Sequence, residues 1–365
     1  MTILESRINP QDDTFKANRE GMFDAINALR AVESSVIATE EKARAKYHKR
    51  GQMLPRERVH LLLDRGSPFM ELSTLCGYKM HDDKDGSLAG GNTIAGIGYV
   101  EGVRCLIVAS NSAIKGGTMT PFGVQKTLRL QEIALQQKLP VVSLIESGGA
   151  NLMYQAELFI PGGKTFANQA RLSAAGIPQV TVVHGSSTAG GAYMPGLSDY
   201  VVMVRKKAKV FLAGPPLLLA ATGEIAIDED LGGAEMHTQQ AGTAEFLAES
   251  DADGIRIARE IVRGLHWNAD KPDVPRLAAK APRYDIDELC GVVSSDYRKP
   301  FDCREVIARL VDDSEFLEFK SEYDKQTVCG RAVIDGHAVG IISNNGPITT
   351  AGATKAGQFI QLCCH

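Results

Sequence analysis

Two glycine pairs, each placed directly after a run of β-branched and aliphatic residues, constrain the fold of this chain more than any other feature. Gly148 and Gly149 follow Val-Val-Ser-Leu-Ile-Glu-Ser, and Gly190 and Gly191 follow Val-Thr-Val-Val-His-Gly-Ser-Ser-Thr-Ala. Apolar runs of this length that end at glycine predict buried strands, most often in a parallel sheet. Paired glycines let the chain turn sharply and expose backbone N–H groups. Two such turns one strand apart could direct donors at one developing oxyanion, although tight packing of a strand on a helix explains either pair alone equally well.

The composition excludes several classes of protein. The 365 residues are enough for two domains, and 44% hydrophobic with 23% charged residues is typical of globular proteins. A net charge of −4 provides no basic field for nucleic acid. No apolar run is long enough to span a bilayer, and the acidic N-terminus resembles neither a signal nor a transit peptide. The seven cysteines form no Cys-x-x-Cys pair, so we expect a cytoplasmic chain without a metal site or disulfides.

Predicted strands and helices alternate along most of the chain, as in stacked βαβ units, and indicate an α/β fold. Glu101 and Gly102 mark a hairpin turn between two of these strands. The predicted strands are 69–72, 93–100, 104–110, 139–145, a run that begins at residue 180 and includes His184, 201–204 and a further run that begins at residue 210. The predicted helices are 15–50, 55–64, 122–138, 166–176 and 252–265, with a loop at 223–244 and a linker at 268–283.

Residues 302–365 repeat an earlier pattern of the chain. Phe69-Met70-Glu71-Leu72 returns as Phe316-Leu317-Glu318-Phe319, Gly102-Val103-Arg104 as Gly336-His337-Ala338, and Gly123-Val124-Gln125-Lys126 as Gly352-Ala353-Thr354-Lys355. Such self-similarity predicts a second copy of the same domain. The copy stops at His365, before any counterpart of the two glycine pairs. We therefore expect domains at 1–270 and 271–365, the second incomplete, with an exposed apolar face on the strand 338–343.

Several short motifs together resemble one known family. They are Gly116-Gly117-Thr118, Glu146-Ser-Gly-Gly-Ala-Asn151, Ser187-Thr-Ala-Gly-Gly-Ala-Tyr193, Phe211-Leu-Ala-Gly-Pro-Pro216, Ala221-Thr-Gly-Glu224 and Asp230-Leu-Gly-Gly-Ala234. In this order they resemble the carboxyltransferase (beta) subunit of biotin-dependent acyl-CoA carboxylases, over nearly the whole chain. The segment ending at Asn151 is similar to that of the methylcrotonyl-CoA and geranyl-CoA members, since propionyl- and acetyl-type enzymes usually carry arginine there.

The resemblance implies a crotonase-like fold in which each domain is a ββα superhelix. Residues 1–270 would bind the acyl-CoA thioester. The partners would be an alpha subunit that carries biotin carboxylase and the biotinylated lysine, and further beta subunits, with the site formed across a beta dimer. Biotin would therefore not be attached to this chain, and no membrane or nucleic-acid partner is implied.

The same resemblance implies which residues form the site. Carboxybiotin releases CO2, the biotin anion removes a proton from the methyl carbon conjugated to the thioester, and the dienolate attacks CO2. This chain would stabilise the thioester oxygen with backbone N–H groups of Gly148, Gly149, Gly190 and Gly191, as an oxyanion hole. The expected substrate-binding residues are Lys115, Gly116, Gly117, Ala150, Asn151, Ala167, Ala192 and Tyr193. Lys115 could contact CoA phosphate or the acyl-binding loop, or be a surface lysine.

The choice between the two substrates depends on side-chain size. Methylcrotonyl enzymes have an aromatic residue where this chain has Ala167, and usually two where it has Met119 and Thr120. Smaller side chains beside an acyl pocket make room for a longer chain. The sequence thus favours geranyl-CoA, with 3-methylcrotonyl-CoA as the alternative.

Three other functions remain open on the residues alone. The segment Gly185-Ser-Ser-Thr-Ala189 resembles the Gly-x-Ser-x-Gly nucleophile elbow of serine hydrolases, with His184 and Asp199 nearby in the sequence, but it lacks the last glycine of that motif. Glu146 could act as the general base of a crotonase-type hydratase or isomerase. A chain with half of its second domain could also be a non-catalytic remnant.

Overall fold

The computed structural model describes residues 2–267 and 277–364. These residues form two compact units, one made of residues 31–267 and the other of residues 2–30 together with 277–364. The predicted domain boundary at 270–271 lies outside the described residues, as does most of the predicted linker. None of the helices in the described ranges is long and apolar enough to cross a membrane.

Both units contain strands and helices, which are numbered in chain order. The strands are β1 Thr2–Ile3, β2 Met70–Glu71, β3 Thr93–Val100, β4 Val103–Ser110, β5 Val141–Ser147, β6 Gln179–Thr188, β7 Tyr200–Val204, β8 Lys209–Phe211, β9 Phe246–Ala248, β10 Glu315–Phe319, β11 Thr327–Ile334 and β12 His337–Asn344. The helices are α1 Asp13–Glu41, α2 Arg44–Lys49, α3 Pro55–Leu62, α4 Pro121–Gln137, α5 Gln155–Ala174, α6 Tyr193–Gly196, α7 Pro215–Thr222, α8 Asp228–Gly232, α9 Asp251–Gly264, α10 Leu289–Val292, α11 Cys303–Ala308 and α12 Thr350–Cys363.

The unit of residues 31–267 is built on a mixed sheet that has eight strands among the described residues. Their order is β2-β3-β4-β5-β6-β7-β9, with β8 beside β6. The strands β2, β3 and β4 pair antiparallel, whereas β4 to β7 and β9 are parallel. Glu101 and Gly102 both have positive φ angles, 50° and 74°, as a type I′ hairpin turn requires. The predicted parallel α/β sheet and its hairpin are confirmed.

Helices cover both faces of this sheet. Residues of α3 and α9 pack on one face in a core that includes Val142 and Leu144 of β5. Residues of α4 and α5 pack on the other face, where Val141 of β5 joins them. Because successive side chains of a strand point to opposite faces, every other residue of β5 and β6 is directed to the same helical layer. This alternation decides where the candidate functional side chains lie.

Two predicted segments differ in the structure. Helix α5 begins at Gln155 rather than at residue 166, and it continues through Pro161 and the two glycines that follow. Those residues usually mark a break, but packing of α5 on α4 holds the helix together. The predicted loop 223–244 contains α8 and the π-helical turn Met236–Ala241, and β9 follows it. A three-residue strand such as β9 gives no pattern of its own and forms because β7 pairs with it.

The other unit contains an antiparallel sheet with the order β1-β10-β11-β12, on which α12 packs. Its core contains Phe316 and Val328. The succession β11, β12, α12 matches β3, β4, α4, so the predicted repeat and its ββα units are confirmed. Among the described residues β12 is an edge strand, and Ile342 on it is 45% exposed, as the sequence predicts.

Candidate active site

Three loops meet at the carboxyl ends of β4, β5 and β6, where ligands bind in open parallel sheets. The N–H of Met119 donates to the carbonyl of Gly149 at 2.8 Å, and the N–H of Asn151 donates to the carbonyl of Met119 at 3.1 Å. Met119 and Ala150 thereby form a parallel bridge between the first two loops. The side chain of Asn151 accepts from the N–H of Met153, so it caps the short turn before α5.

The amides of the first glycine pair are engaged within the chain. The N–H of Gly148 donates to the carbonyl of Gly116 at 3.0 Å. The N–H of Gly149 donates to Ser147 Oγ at 3.2 Å. Gly149 has φ of +86°, a backbone conformation that only glycine adopts readily. This pair therefore forms a tight turn that holds the Gly116 loop against the end of β5.

The second glycine pair opens a 3-10 turn, Ala189–Ala192, directly after β6. The first N–H groups of a helical turn have no partner within it, and Gly190 is among them. A methyl group on Gly190 would lie 3.8 Å from Met119 Cε and 3.8 Å from Phe166 Cζ. Buried Ala192 closes the same turn. Of the two pairs, the second is the better candidate for a donor to a ligand.

A cavity of about 60 Å³ lies beside this turn, on the α4 and α5 face of the sheet. Its walls are largely apolar, and they include Gly117, Met119, Val124, Ile145, Phe166, Gly191 and Met194. The ring of Phe166 stacks on that of Tyr193, with the centroids 4.7 Å apart. Ala167 is not part of the lining. It is exposed because it lies one position, about 100°, further round the helix than Phe166.

Lys115 is paired with an acidic residue rather than directed at the cavity. Its Nζ lies 2.8 Å from Asp82 Oδ2, and the Tyr154 hydroxyl donates to Asp82 Oδ1 at 2.7 Å. The hydrogen bonds from Lys115 and Tyr154 hold the pKa of Asp82 below its usual range. Lys115 thus joins the loop after β4 to the loop around Asp82. Gly116, with φ of +65°, provides the turn that follows it.

A buried ionic cluster lies on the opposite face of the sheet, against α3 and α9. Arg58 contacts Glu146 at 2.9 Å and Asp251 at 3.1 Å, and His184 Nδ1 lies 3.2 Å from Asp251 Oδ1. Burial, assisted by the nearby charge of Arg58, lowers the pKa of His184 to about 4. Burial alone would raise the pKa of Asp251, but His184 and Arg58 lower it well below its usual range. The cluster is a neutral imidazole and a cation held between two carboxylates.

A sequence-profile comparison identifies the family of this fold and site. Residues 46–365 match the profile described as carboxyl transferase domain. The chain belongs to this family. The crotonase-like α/β architecture expected from the sequence is thereby confirmed, because solved carboxyltransferase structures have the same fold.

Relatives from the carboxyl transferase domain family match nearly the whole chain. The probable biotin-dependent acyl-CoA carboxylase beta2 subunit of Mycobacterium tuberculosis is 47% identical over 99% of the chain and 67% of its own length. The probable mitochondrial methylcrotonoyl-CoA carboxylase beta chain of Drosophila melanogaster is 43% identical over 100% and 66%. The geranyl-CoA carboxylase beta subunit of P. aeruginosa has 61% identity and a TM-score of 0.92, over 99% of this chain and 68% of that one. The chain thus spans about two thirds of the relatives that it matches.

The geometry of this carboxyl transferase domain argues against two of the other functions. By strand alternation Glu146 and His184 face α3 and α9, whereas the cavity lies against α4 and α5. Ser187 is fully buried and donates to the carbonyl of Gly191. Asp199 accepts from the N–H of Gln179 at 2.8 Å and from Ser173. The structure therefore contains no Ser–His–Asp arrangement among these residues, and Glu146 is already paired.

The sequence did not indicate several residues that lie at the cavity or in the ionic cluster, on the two faces of the sheet. Phe166 and Met194 line the cavity, and Arg58 and Asp251 hold the ionic cluster. The alternation of Val142, Leu144 and Glu146 in β5 could have assigned Glu146 to a helical layer. Nothing local to the sequence could have paired Arg58 with a residue 193 positions away.

Proposed function

We propose that this chain is part of a carboxyltransferase (beta) subunit of a biotin-dependent acyl-CoA carboxylase, and that its substrate is geranyl-CoA. One observation carries the proposal: the 3-10 turn at Gly190 and Gly191 adjoins an apolar cavity, so that a thioester oxygen and its acyl chain can be held together. The similarity to a geranyl-CoA carboxylase beta subunit supports the choice of substrate.

The chain's own part in the reaction is to bind and polarise the thioester. Carboxybiotin, carried by the partner alpha subunit, would supply CO2 and the base. The amides of the Gly190 turn would donate to the thioester oxygen as the methyl proton leaves and the dienolate forms. Loss of one such donor typically lowers the rate by about 10²–10³-fold. The first glycine pair, with Ala150 and Asn151, would support this turn by fixing the neighbouring loops.

The acyl chain would lie against Met119 and Phe166. Met119 is unbranched and flexible, so it can adapt to a chain longer than a five-carbon acyl group. Thr120 contributes nothing to this wall, because its side chain caps α4 by accepting from the N–H of Gly123. Of the positions at which the sequence favours geranyl-CoA, only Met119 lines the cavity, so the choice of substrate depends on Met119.

A homo-oligomer of beta subunits is part of the proposal. Large apolar side chains are exposed around the start of α5 and the α7 region, among them Met153 (86%), Ile160 (85%) and Ile225 (88%). Exposed apolar patches of this kind mark contact surfaces. We propose that a second beta subunit covers this surface, which would bring the partner chain to the rim of the cavity.

The test is a bicarbonate-dependent carboxylation assay with the biotinylated alpha subunit and ATP. It compares this chain with one extended through a complete second domain, on geranyl-CoA and on 3-methylcrotonyl-CoA. We expect geranyl-CoA to be carboxylated with the higher kcat/KM. Preference for 3-methylcrotonyl-CoA would establish the alternative substrate. Conversion of an enoyl-CoA without bicarbonate would establish a hydratase or isomerase, and no conversion by either form would indicate a remnant.

A variant pair tests the cavity itself. Met119→Phe places a rigid ring in the cavity, whereas Met70→Phe makes the same change on the edge strand β2, outside the lining. We expect Met119→Phe to lower kcat/KM for geranyl-CoA at least about tenfold more than for 3-methylcrotonyl-CoA, because pocket volume limits acyl length. Met70→Phe should leave the ratio unchanged. Equal effects of Met119→Phe on both thioesters would exclude Met119 as the wall that selects chain length.

A further inference from the structure

A buried lysine lies beneath the cavity and has no part in the proposed reaction. Lys126 is on α4 and only 4% exposed. Its Nζ donates to the backbone carbonyls of Thr93 at 2.7 Å, Gly90 at 3.1 Å and Ser73 at 3.4 Å. An ammonium group has three donor protons, so these three carbonyls use all of them. Burial lowers the pKa of Lys126 to about 8.

Two of the three carbonyls, those of Gly90 and Thr93, are directed at Lys126 by the unusual backbone at the start of β3, while that of Ser73 comes from the segment after β2. Gly90, Gly91 and Asn92 have positive φ angles of 99°, 65° and 55°. A Cβ on Gly91 would lie 2.8 Å from the Cα of Gly123, so the turn rests directly on α4. Gly123 and Lys126 are three residues apart and occupy the same face of the helix. Because Gly91 and Gly123 have no side chains, the turn can lie directly against α4. Lys126 then binds the Gly90 and Thr93 carbonyls that the turn directs toward the helix.

The 90–93 turn lines part of the cavity and is hydrogen-bonded to the adjacent loop 116–119. Gly91, Asn92 and Thr93 line the cavity. Asn92 Nδ2 donates to the carbonyl of Thr118 at 2.9 Å, directly before Met119. A continuous set of hydrogen bonds therefore runs from the Lys126 ammonium through the 90–93 turn to the loop 116–119, and from there to the first glycine pair.

We propose that Lys126 is a positioning residue for the acyl cavity: its ammonium fixes the 90–93 turn, and Asn92 transmits that position to the loop that carries Met119. The residue touches neither the cavity nor a reacting atom. Loss of the ammonium would remove the charged donor that joins the three carbonyls: Gly90 and Ser73 would keep one backbone donor each, from Thr93 and Cys76, while the Thr93 carbonyl would lose the 2.7 Å bond from Lys126, which favours a different path of the turn. The proposal rests on the proposed function only in identifying the cavity as the place of the acyl chain.

The second copy of the ββα unit supplies a matched control. Lys355 is fully buried, and its Nζ donates to the carbonyls of Thr327 at 2.6 Å and Asp324 at 3.4 Å. Thr327 begins β11 as Thr93 begins β3, and Gly352 precedes Lys355 as Gly123 precedes Lys126. The two lysines thus make the same kind of contact, but only the turn bound by Lys126 lines the cavity.

The experiment compares Lys126→Met with Lys355→Met in the complete carboxylase. Both variants remove a buried ammonium, and each should lower the melting temperature of its own unit. We expect Lys126→Met to lower kcat/KM for the enoyl-CoA by roughly ten- to hundredfold, since a small misplacement far from the chemistry costs this much. Lys355→Met should change it by less than about twofold, because its turn lies outside the cavity. Equal losses in the two variants would show that Lys126 acts through stability alone and would overturn the proposal.

A second measurement needs no ligand. We expect faster amide hydrogen exchange at residues 116–119 in Lys126→Met, as in Asn92→Ala, which breaks the same connection one step later. Unchanged exchange at 116–119, with faster exchange confined to 90–93, would overturn the proposal. If Lys126→Met does not fold, Lys126→Gln, which keeps two N–H donors, takes its place in the same comparison. A wild-type enzyme that converts neither thioester would refute the proposed function, while the exchange data would still decide the role of Lys126.

Discussion

The two copies of the ββα unit, residues 55–137 and residues 303–363, share a common set of contacts. In each copy an arginine of the preceding helix forms a bidentate pair with a glutamate of the first strand, an aspartate accepts the N–H groups of the hairpin turn, a threonine caps the last helix, and a buried lysine binds carbonyls. The corresponding residues are Arg56, Glu71, Asp64, Thr120 and Lys126 in the first copy, and Arg304, Glu318, Asp312, Thr349 and Lys355 in the second.

The copies differ in what is built around this common frame. In the first copy β4 lies between β3 and β5 and is largely buried, whereas β12 of the second copy is an edge strand among the described residues. The connection from β2 to β3 spans residues 72–92, but that from β10 to β11 spans only 320–326. The longer connection provides Asp82, Gly91 and Asn92 to the site. The contacts that the two copies share are therefore structural. The candidate site residues lie in segments that are longer in the first copy.

The buried ionic cluster is one of these additions. Arg58 occupies the position on α3 that Val306 occupies on α11, as the equivalent pair Arg56 and Arg304 shows. The second copy accordingly has a partly buried valine at the position where the first has a buried cation between two carboxylates. Substitutions at the positions where the copies differ should therefore have larger effects than substitutions at the positions that they share.

Arg58→Met should destabilise the unit of residues 31–267 by about 3–5 kcal/mol, because Glu146 and Asp251 would remain buried without their cation. Trp267 is the single tryptophan of the chain and lies in this unit, where its Nε1 donates to the carbonyl of Lys138. Chemical unfolding followed by its fluorescence measures the loss. Arg309→Met, which removes a buried arginine from the other unit, should leave the Trp267 transition in place. A shift below about 1 kcal/mol for Arg58→Met would show that the cluster is not the stabilising difference between the copies.

His184 should make the stability of the same unit sensitive to acid. Its pKa is about 4 in the folded chain and 6.5 ordinarily, so between these values the unfolded chain binds a proton that the folded chain does not. The stability contribution is complete above pH 6.5 and is lost as the pH falls to 4, by about 3 kcal/mol.

The measurement is the pH dependence of the Trp267 transition in wild type and in His184→Gln. The variant has no titrating group at this position and should lack this part of the slope. The second copy has no histidine in a corresponding cluster, so its own unfolding should not show the same difference. Parallel pH profiles for wild type and variant would refute the assignment.

Gly96→Ala and Gly330→Ala test whether the two copies are packed in the same way at equivalent positions. A Cβ on Gly96 would overlap the carbonyl of Met70 and the ring of Phe69, and one on Gly330 would overlap the ring of Phe316. Each substitution should destabilise its own unit by about 1–3 kcal/mol, the usual cost of overpacking. Only Gly96→Ala should move the Trp267 transition, whereas far-UV circular dichroism should detect both. Gly264→Ala, whose methyl would meet no atom within 4 Å, is the control. A stable Gly330→Ala chain would show that the second copy is packed differently from the first.

The predictable parts of the fold depend on residues that are close in the sequence. The hairpin at Glu101 and the parallel strands β5 and β6 were correctly predicted, because alternation and turn residues are local signals. The start of α5 was not, since Pro161 gives a local signal that tertiary packing overrides. The family resemblance indicated Ala167 as a residue beside the acyl pocket, whereas helix α5 directs its neighbour Phe166 into the cavity. The location of the candidate site stays a prediction, and the cavity beside it is lined by Phe166 rather than by Ala167.

The sequence by itself determined that this chain contains a repeated ββα unit and that two glycine turns follow neighbouring parallel strands. The glycine turns follow from backbone preferences within a few residues, and the repeat follows from similar short segments in two parts of the chain. Only the tertiary structure decided which amides of those turns are already engaged, which cation pairs with Glu146, and what Lys126 binds. Strand register, helix phase and pairing across the sheet set these outcomes. Lys126 shows the limit most clearly, because the carbonyls that it holds lie 33 to 53 residues away in the chain.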